Sequence, residues 1–173
     1  MPAENISIKN AKERQLFYFV ANVGGYRESA ERCLILKRSE AEKVHPGKYC
    51  VPGGKLSWDD LNSKQPTRIQ NDVLDYENAV EKLLAREVGE EAGITIGAGL
   101  HYINSVAFIR PDEIPVVLVK FAAKYKSGEV RIEEGAFTDY AWVNVGEVGK
   151  YPCIEGIEEE IAATIQLFAE KKN

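Results

Sequence analysis

The sequence is poor in the residues that carry thiol and imidazole chemistry. Its cysteines are Cys33, Cys50 and Cys153, an odd number with no metal-type spacing. That count excludes a disulfide framework and reads as free thiols in a reducing compartment. His45 and His101 are the only histidines, and neither stands in a nucleophile motif, which argues against a cysteine–histidine pair. A long apolar run is also lacking: none approaches the ~18 residues needed to cross a bilayer. The leading stretch MPAENISIKNAKERQ is polar and lacks the apolar core of a secretion signal, so a soluble cytoplasmic protein with no membrane partner is expected. Basic excess is absent too, with 22 Lys and Arg against 27 Asp and Glu and a formal net charge of -5. Broad, nonspecific attraction to nucleic acid is therefore not expected.

What is present suffices for one folded unit. The chain has 173 residues, 45% of them hydrophobic, which suits a single domain over 1–173. Gln15 to Val23 (QLFYFVANV) has the aromatic and branched content of a strand. Gly24-Gly25 signals a turn, and Arg32 to Lys37 (RCLILK) completes a hairpin. The corner Pro52-Gly53-Gly54-Lys55 follows. Residues 57–75 are polar and loop-like and read as an insertion holding one helical turn. Tyr76 to Ala92 is free of proline and stopped by Gly93, which predicts a helix. Strands are expected at His101–Ile109, Val116–Tyr125, Val130–Ile132 and Tyr140–Val145, and an amphipathic helix at Ile154–Lys171, where Ile157, Ile161, Ile165 and Phe168 recur at spacings of three and four. There is no internal repeat and no Rossmann-type alternation. The order implies an α/β (α+β) mixed sheet with helices on its faces.

The chemistry concentrates on the helix over 76–92. Its apolar stripe, Val80, Leu83 and Leu84, continues at steps of three and four into Glu87, Glu90 and Glu91. Those three glutamates fall within an arc of about 100°. Like charges at these spacings repel, and they lie at the helix end where the macrodipole disfavours anions. A hard divalent cation would relieve both penalties, since Mg²⁺ and Mn²⁺ prefer carboxylate oxygens. The bland alternative is a solvated acidic face with Lys82 and Arg86 as partners. Arg86 can reach Glu90 across one helical turn. Gly89 costs ~1 kcal/mol inside a helix, which invites a packing explanation. The glycine corner lets backbone come close to a ligand or to the helix end.

The run Arg86-Glu87-Val88-Gly89-Glu90-Glu91-Ala92-Gly93-Ile94 resembles the core of the Nudix box, Arg-Glu-apolar-x-Glu-Glu-x-Gly-apolar, at every fixed position. Pro52-Gly53-Gly54-Lys55-Leu56 is similar to the start of the same box, and LILKR before it and Trp142 in YAWVNV after it fit the family's order. The resemblance covers roughly 15–170 and implies a Nudix-type α/β/α sandwich. Two departures stand out. The family's glycine and arginine are usually some fourteen positions apart, so Gly54 and Arg86 imply an insertion of about eighteen residues, assigned to 57–75. The box glutamate eight places before the arginine falls on Asn78, with Glu77 beside it.

The resemblance implies a Mg²⁺- or Mn²⁺-dependent hydrolase of a diphosphate linkage in a nucleotide-like small molecule. Glu87, Glu90 and Glu91 would be metal ligands, and Arg86 would orient a glutamate. The general base would be Glu90, Glu91 or a loop carboxylate, with Glu134 ahead of Glu133. Lys37, Arg38, Gly53, Gly54 and Lys55 are candidate phosphate contacts, and Tyr18, Phe19 and Trp142 either stack on a base or belong to the core. Nucleoside triphosphates, nucleotide sugars, ADP-ribose and dinucleotides all remain open. The stretch from Arg38 to Gly54 is loosely similar to the signature of coenzyme A enzymes, with Lys43, Val51 and Leu36 departing from it. A binding module without hydrolysis is the alternative from another class. Cap removal from RNA fits poorly with the acidic balance. A homodimer is plausible, with the N-terminal segment or the insertion supplying contacts.

Overall fold

A computed structural model describes residues 1–171. Short 3-10 turns at Ile8–Asn10 and Glu13–Gln15 lead into β1 (Tyr18–Arg27) and β2 (Arg32–Arg38). Then come β3 (Tyr49–Cys50), β4 (Gly53–Lys55), a 3-10 turn at Trp58–Asp60, and a small separate hairpin of β5 (Arg68–Gln70) and β6 (Val73–Asp75). Helix α1 (Ala79–Ala92) precedes β7 (Thr95–Ile96), β8 (His101–Ile109), β9 (Pro115–Ser127) and β10 (Phe137–Val143). The short helix α2 (Val145–Val148) and α3 (Ile157–Glu170) close the chain.

The main sheet is mixed. Its order is β10-β2-β1-β9-β7, with β3 added to β2, β4 to β1 and β8 to β9. Among the described strands only β1 and β9 pair in parallel, from Tyr18↔Val116 to Tyr26↔Lys124, and a single parallel bridge joins Tyr49 to Cys153. The hairpin of β1 and β2 is paired at Tyr26↔Cys33 and Arg27↔Arg32 and then opens. Into the opening runs the chain from Tyr49 to Lys55, with β3 on β2 (Leu36↔Cys50) and β4 on β1 (Ala21↔Gly54). That wedge carries the glycine corner into the middle of the sheet.

Both faces of the sheet are covered, which is why β2 is a continuous apolar run. Leu34 and Leu36 join Ala21, Val23, Leu83, Leu84 and Val88 under α1. Cys33 and Ile35 join Tyr26, Ile157, Ile161 and Phe168 under α3. Burying such side chains contributes roughly 1.5–3 kcal/mol each.

Several expectations are corrected. Gly24-Gly25 is no turn: β1 runs through it, paired to Ala122 and Ala123 of β9. Gly24 is there because α3 crosses close by, and a Cβ would lie 2.6 Å from the Thr164 hydroxyl. Residues 130–132 form no strand. Arg131 N–H and Glu133 N–H instead donate to Ala92 O (2.9 Å) and Glu91 O (3.0 Å), satisfying carbonyls that the end of α1 leaves open. Segment 57–75 holds the expected helical turn but also the unforeseen β5–β6 hairpin.

Candidate active site

The final turns of α1 present their carboxylates at different depths. The buried stripe runs Leu83, Leu84, Val88, Ala92, not onward into the glutamates. Glu87 and Glu91 flank it at the core boundary. The Glu87 side chain is 15% exposed and that of Glu90 is 56% exposed, so Glu90 faces water. Burial raises the Glu87 pKa, and the nearby Glu90 charge adds to the shift while Arg86 opposes it. Glu91 is pushed up to about 8, chiefly by burial and further by Glu87 and Glu133, against a hydrogen bond from Gly53.

The glycine corner exists for these carboxylates. Gly53 N–H donates to Glu91 Oε2 at 2.9 Å. A Cβ on Gly53 would collide with the Ala21 carbonyl oxygen of β1, and one on Gly54 would collide with the Glu87 carboxylate itself. No residue larger than glycine leaves room for both the sheet pairing and the glutamate. Gly89 is different: nothing lies within 4 Å of where its Cβ would be, so close packing does not explain it.

Arg86 is the hub of the acidic face. Its guanidinium contacts Glu87 (2.8 Å), Glu90 (3.1 Å) and Asp60 (3.1 Å). Asp60 comes from the 3-10 turn before α1. Ser57 N–H and Ser57 Oγ hold it at 2.7 and 3.1 Å. Burial would raise the Asp60 pKa, but the Ser57 bonds and then Arg86 outweigh it and hold it below the usual carboxylate range. Neither Asn78 nor Glu77 contacts Arg86. Asn78 is the left-handed residue before α1, and Glu77 pairs with Arg68 of β5 at 3.1 Å. The signal for Asp60 was in the sequence: counted forward six places from Gly54, the box's acidic position falls on Asp60. Counting back from Arg86 across the long segment missed it.

The remaining candidates divide. Arg38 is committed to Glu42 (2.6 Å) and to the Val44 carbonyl (2.7 Å), although its charge reaches Glu91. Lys37 is half-buried opposite Tyr49 and Asp139. Lys55 is exposed, with Nζ 5.6 Å from the Tyr18 ring centroid. Glu133 is tied to the end of α1 by its backbone and by its charge on Glu91, whereas Glu134 stands exposed on the next turn. Phe19 and Trp142 pack against the α1-side core. Burial pushes the Cys33 and Cys50 thiols up to about 12, which keeps them protonated and poorly nucleophilic.

The donor set suits a hard cation in kind, being oxygen only, and burial disfavours the anionic forms of Glu87 and Glu91. Among the described residues, no group of three or more His, Cys, Asp or Glu is already gathered for a metal ion. Arg86 draws Glu90 aside, and Gly53 engages one oxygen of Glu91.

Comparison with known proteins places the fold. The chain is similar in structure to a MutT NUDIX hydrolase from Burkholderia pseudomallei, with 21% identity, a TM-score of 0.63, and coverage of 85% of this chain and 97% of that one. It is also similar to the MutT protein of Methanosarcina mazei Go1, with 20% identity, a TM-score of 0.60, and coverage of 94% and 99%. The NUDIX domain of Shewanella oneidensis NrtR, solved with ADP ribose, matches at 13% identity and a TM-score of 0.67, over 93% of this chain and 96% of that one. No curated protein matches. The NUDIX domain family profile matches residues 19–165, so the chain belongs to the NUDIX family.

Proposed function

We propose that this protein hydrolyses a diphosphate linkage in a nucleoside diphosphate joined to another moiety, with Mg²⁺ or Mn²⁺ as cofactor. The observation that carries the reading is the pair Glu87 and Glu91, half-buried under the Gly53-Gly54 corner with both pKa values raised. Carboxylates held at such a cost are stabilised by a bound cation. Glu87, Glu90 and Glu91 would hold the metal, which when bound neutralises charge on the phosphoryl oxygens and activates a water.

The chain's own residues supply the rest. Gly53 N–H fixes one oxygen of Glu91, leaving the other for a ligand. Arg86 positions Glu87 and Glu90 and is itself positioned by Asp60. Lys37 and Lys55 are the cations proposed to meet substrate phosphates, Arg38 would join them on leaving Glu42 and the Val44 carbonyl, and Gly53 and Gly54 form the backbone edge proposed to border them. Glu90, Glu91 and Glu134 are candidates for the base that takes a proton from water, and Glu133 joins them through its contact with α1. The chain is read as one domain over 1–173 with 57–75 inserted.

ADP-ribose is a second substrate reading, favoured by the likeness to a NUDIX domain solved with that ligand. A phosphatase-coupled phosphate-release screen tests both. It covers nucleoside triphosphates, ADP-ribose, dinucleotides, nucleotide sugars and coenzyme A, with and without Mg²⁺ or Mn²⁺. Metal-dependent release is expected, and Glu90→Gln is expected to lower turnover at least ~100-fold with the fold intact. Silence across the panel from folded protein would favour a module that binds without cleaving.

A further inference from the structure

Strand β8 lies at an edge of the main sheet. Its inner side pairs with β9, and among the described residues no strand pairs with its outer side. An open edge offers a row of backbone N–H and C=O groups to any extended chain, and folded proteins guard such edges with charge, proline or bulges. The sequence of β8, HYINSVAFI, has no carboxylate, lysine, arginine or proline. Its register shifts between Tyr102 and Asn104, but from Asn104 to Ile109 the pairing with Lys120 to Pro115 is unbroken. The opposite edge of the sheet is guarded, since β10 carries Asp139. The side chains of β8 are as open as its backbone. A strand with one buried face alternates buried and exposed residues, yet every residue from Asn104 to Ile109 is exposed.

Two copies of this edge suit each other. A strand edge can pair antiparallel with itself about a two-fold axis, so that one surface meets its own copy and the assembly closes. Each chain carries a net charge of -5, so copies repel unless the surfaces that meet are uncharged, as β8 is. A two-fold axis near the middle of β8 lays the Ile109 end along the partner's His101. Asp112 and Glu113 follow Ile109 and are exposed, although Arg110 pairs with Asp112 at 2.7 Å. At the other end His101 meets Lys171 at 3.0 Å. The two ends are thus complementary in sign. Tyr102, Val106, Phe108 and Ile109 are 61%, 45%, 43% and 75% exposed. Side chains of this size so exposed offer on the order of 100 Å² each. Burying them and the strand backbones in two copies removes roughly 1,000 Å² from water, where a specific but weak dimer begins.

We infer that β8 pairs antiparallel with the β8 of a second copy and joins the two main sheets into one across a weak, reversible dimer. The N-terminal segment and segment 57–75, expected above to supply dimer contacts, are bonded to each other instead. Ser63 Oγ donates to the Glu4 carbonyl at 2.8 Å, and the Met1 ammonium donates to Asp72 at 2.6 Å. The β8 contact involves none of the residues assigned to the reaction.

Sedimentation of the full chain over a range of concentrations tests this. The mass is expected to rise from 19.3 kDa toward twice that value. Val106 is exposed near the middle of β8, so Val106→Lys and Val106→Glu each set like charges close together across the axis. Each alone should weaken dimerisation at least ~10-fold, and an equal mixture of the two should restore it. A wild-type mass of 19.3 kDa at every concentration overturns the proposal. So does a dimer that both single variants leave intact, or folded variants that stay monomeric when mixed. If the variants do not fold, backbone hydrogen exchange in the wild type reads the same edge. Exchange across 104–109 should slow as concentration rises, and exchange independent of concentration there overturns the pairing.

Discussion

Single atoms decide much of this site. Gly54 is required for its volume: any Cβ would meet the Glu87 carboxylate. Gly54→Ala should fold, with a cost of about 1–3 kcal/mol for the forced repacking, but should displace Glu87. Turnover is expected to fall at least ~10-fold, checked by steady-state rates beside a thermal melt. A rate near wild type would mean that Glu87 is free to move without consequence. Asp60 acts through Arg86. Both side chains are partly solvated, at 19% and 39% exposed, so Asp60→Asn should change stability by under about 1 kcal/mol. If Asp60 positions the acidic face, kcat should drop several-fold with KM for metal raised, and Asp60→Glu should restore part of the loss. The three box glutamates were legible because helical spacing is local. Asp60 was harder to find because its partner lies 26 positions away.

At the scale of elements, the hairpin β5–β6 and the helix α3 make contrasting cases. The hairpin exposes Ile69 and Val73 and forms a sheet of its own. A two-stranded hairpin is marginal alone, and its polar run gave no alternation to predict it from. The last helix was legible from its apolar spacing, but its spacing did not reveal Glu160. That carboxylate is buried at the interface of α3, β1 and β9, 3.4 Å from Lys120 Nζ and 3.3 Å from Asn22 Nδ2.

Burial raises the Glu160 pKa from 4.5 to about 7, more than Lys120 and Asn22 lower it. Between those values the folded state keeps a proton that the unfolded chain has released. This contribution to stability is therefore full below the unfolded pKa and is lost as pH rises toward about 7. Lys120→Met should cost more at pH 8 than at pH 5, by roughly 1 kcal/mol, because without its cation Glu160 must take up a proton that it has largely released in the parent protein at pH 8. Urea denaturation at the two pH values measures this. Equal costs would show that the pair's charge does not matter to the fold.

For the whole molecule, the metal should couple to folding. A ligand that binds only the folded state stabilises it by about 2.7 kcal/mol at a hundredfold excess over Kd. Mg²⁺ or Mn²⁺ is therefore expected to raise the melting temperature, and Glu87→Gln with Glu91→Gln should abolish the rise. A rise that survives both substitutions would locate the cation elsewhere. The net charge of -5 makes weak, nonspecific cation binding the control to subtract, and added salt screens that component.

Much was decided by the sequence alone. The stop of α1, the placing of Glu87, Glu90 and Glu91 in its last turns, the apolar β2 and the Nudix box all follow from residue type and near-neighbour spacing, whereas the start of α1 at Ala79 rather than Tyr76 does not. Periodicity is a local property of the chain and is read without knowing the fold. Only the tertiary structure decided which glutamates are buried, that Gly24-Gly25 is strand beneath α3, and that the glycine corner wedges between β1 and β2. It alone brought Asp60 to Arg86 and the N-terminal segment to Trp58. Those outcomes depend on which surfaces meet after the chain closes long loops, and the cost of closure grows only slowly with loop length. A stretch of polar residues such as 57–75 therefore carries little record in its own spacing of the partners it will find.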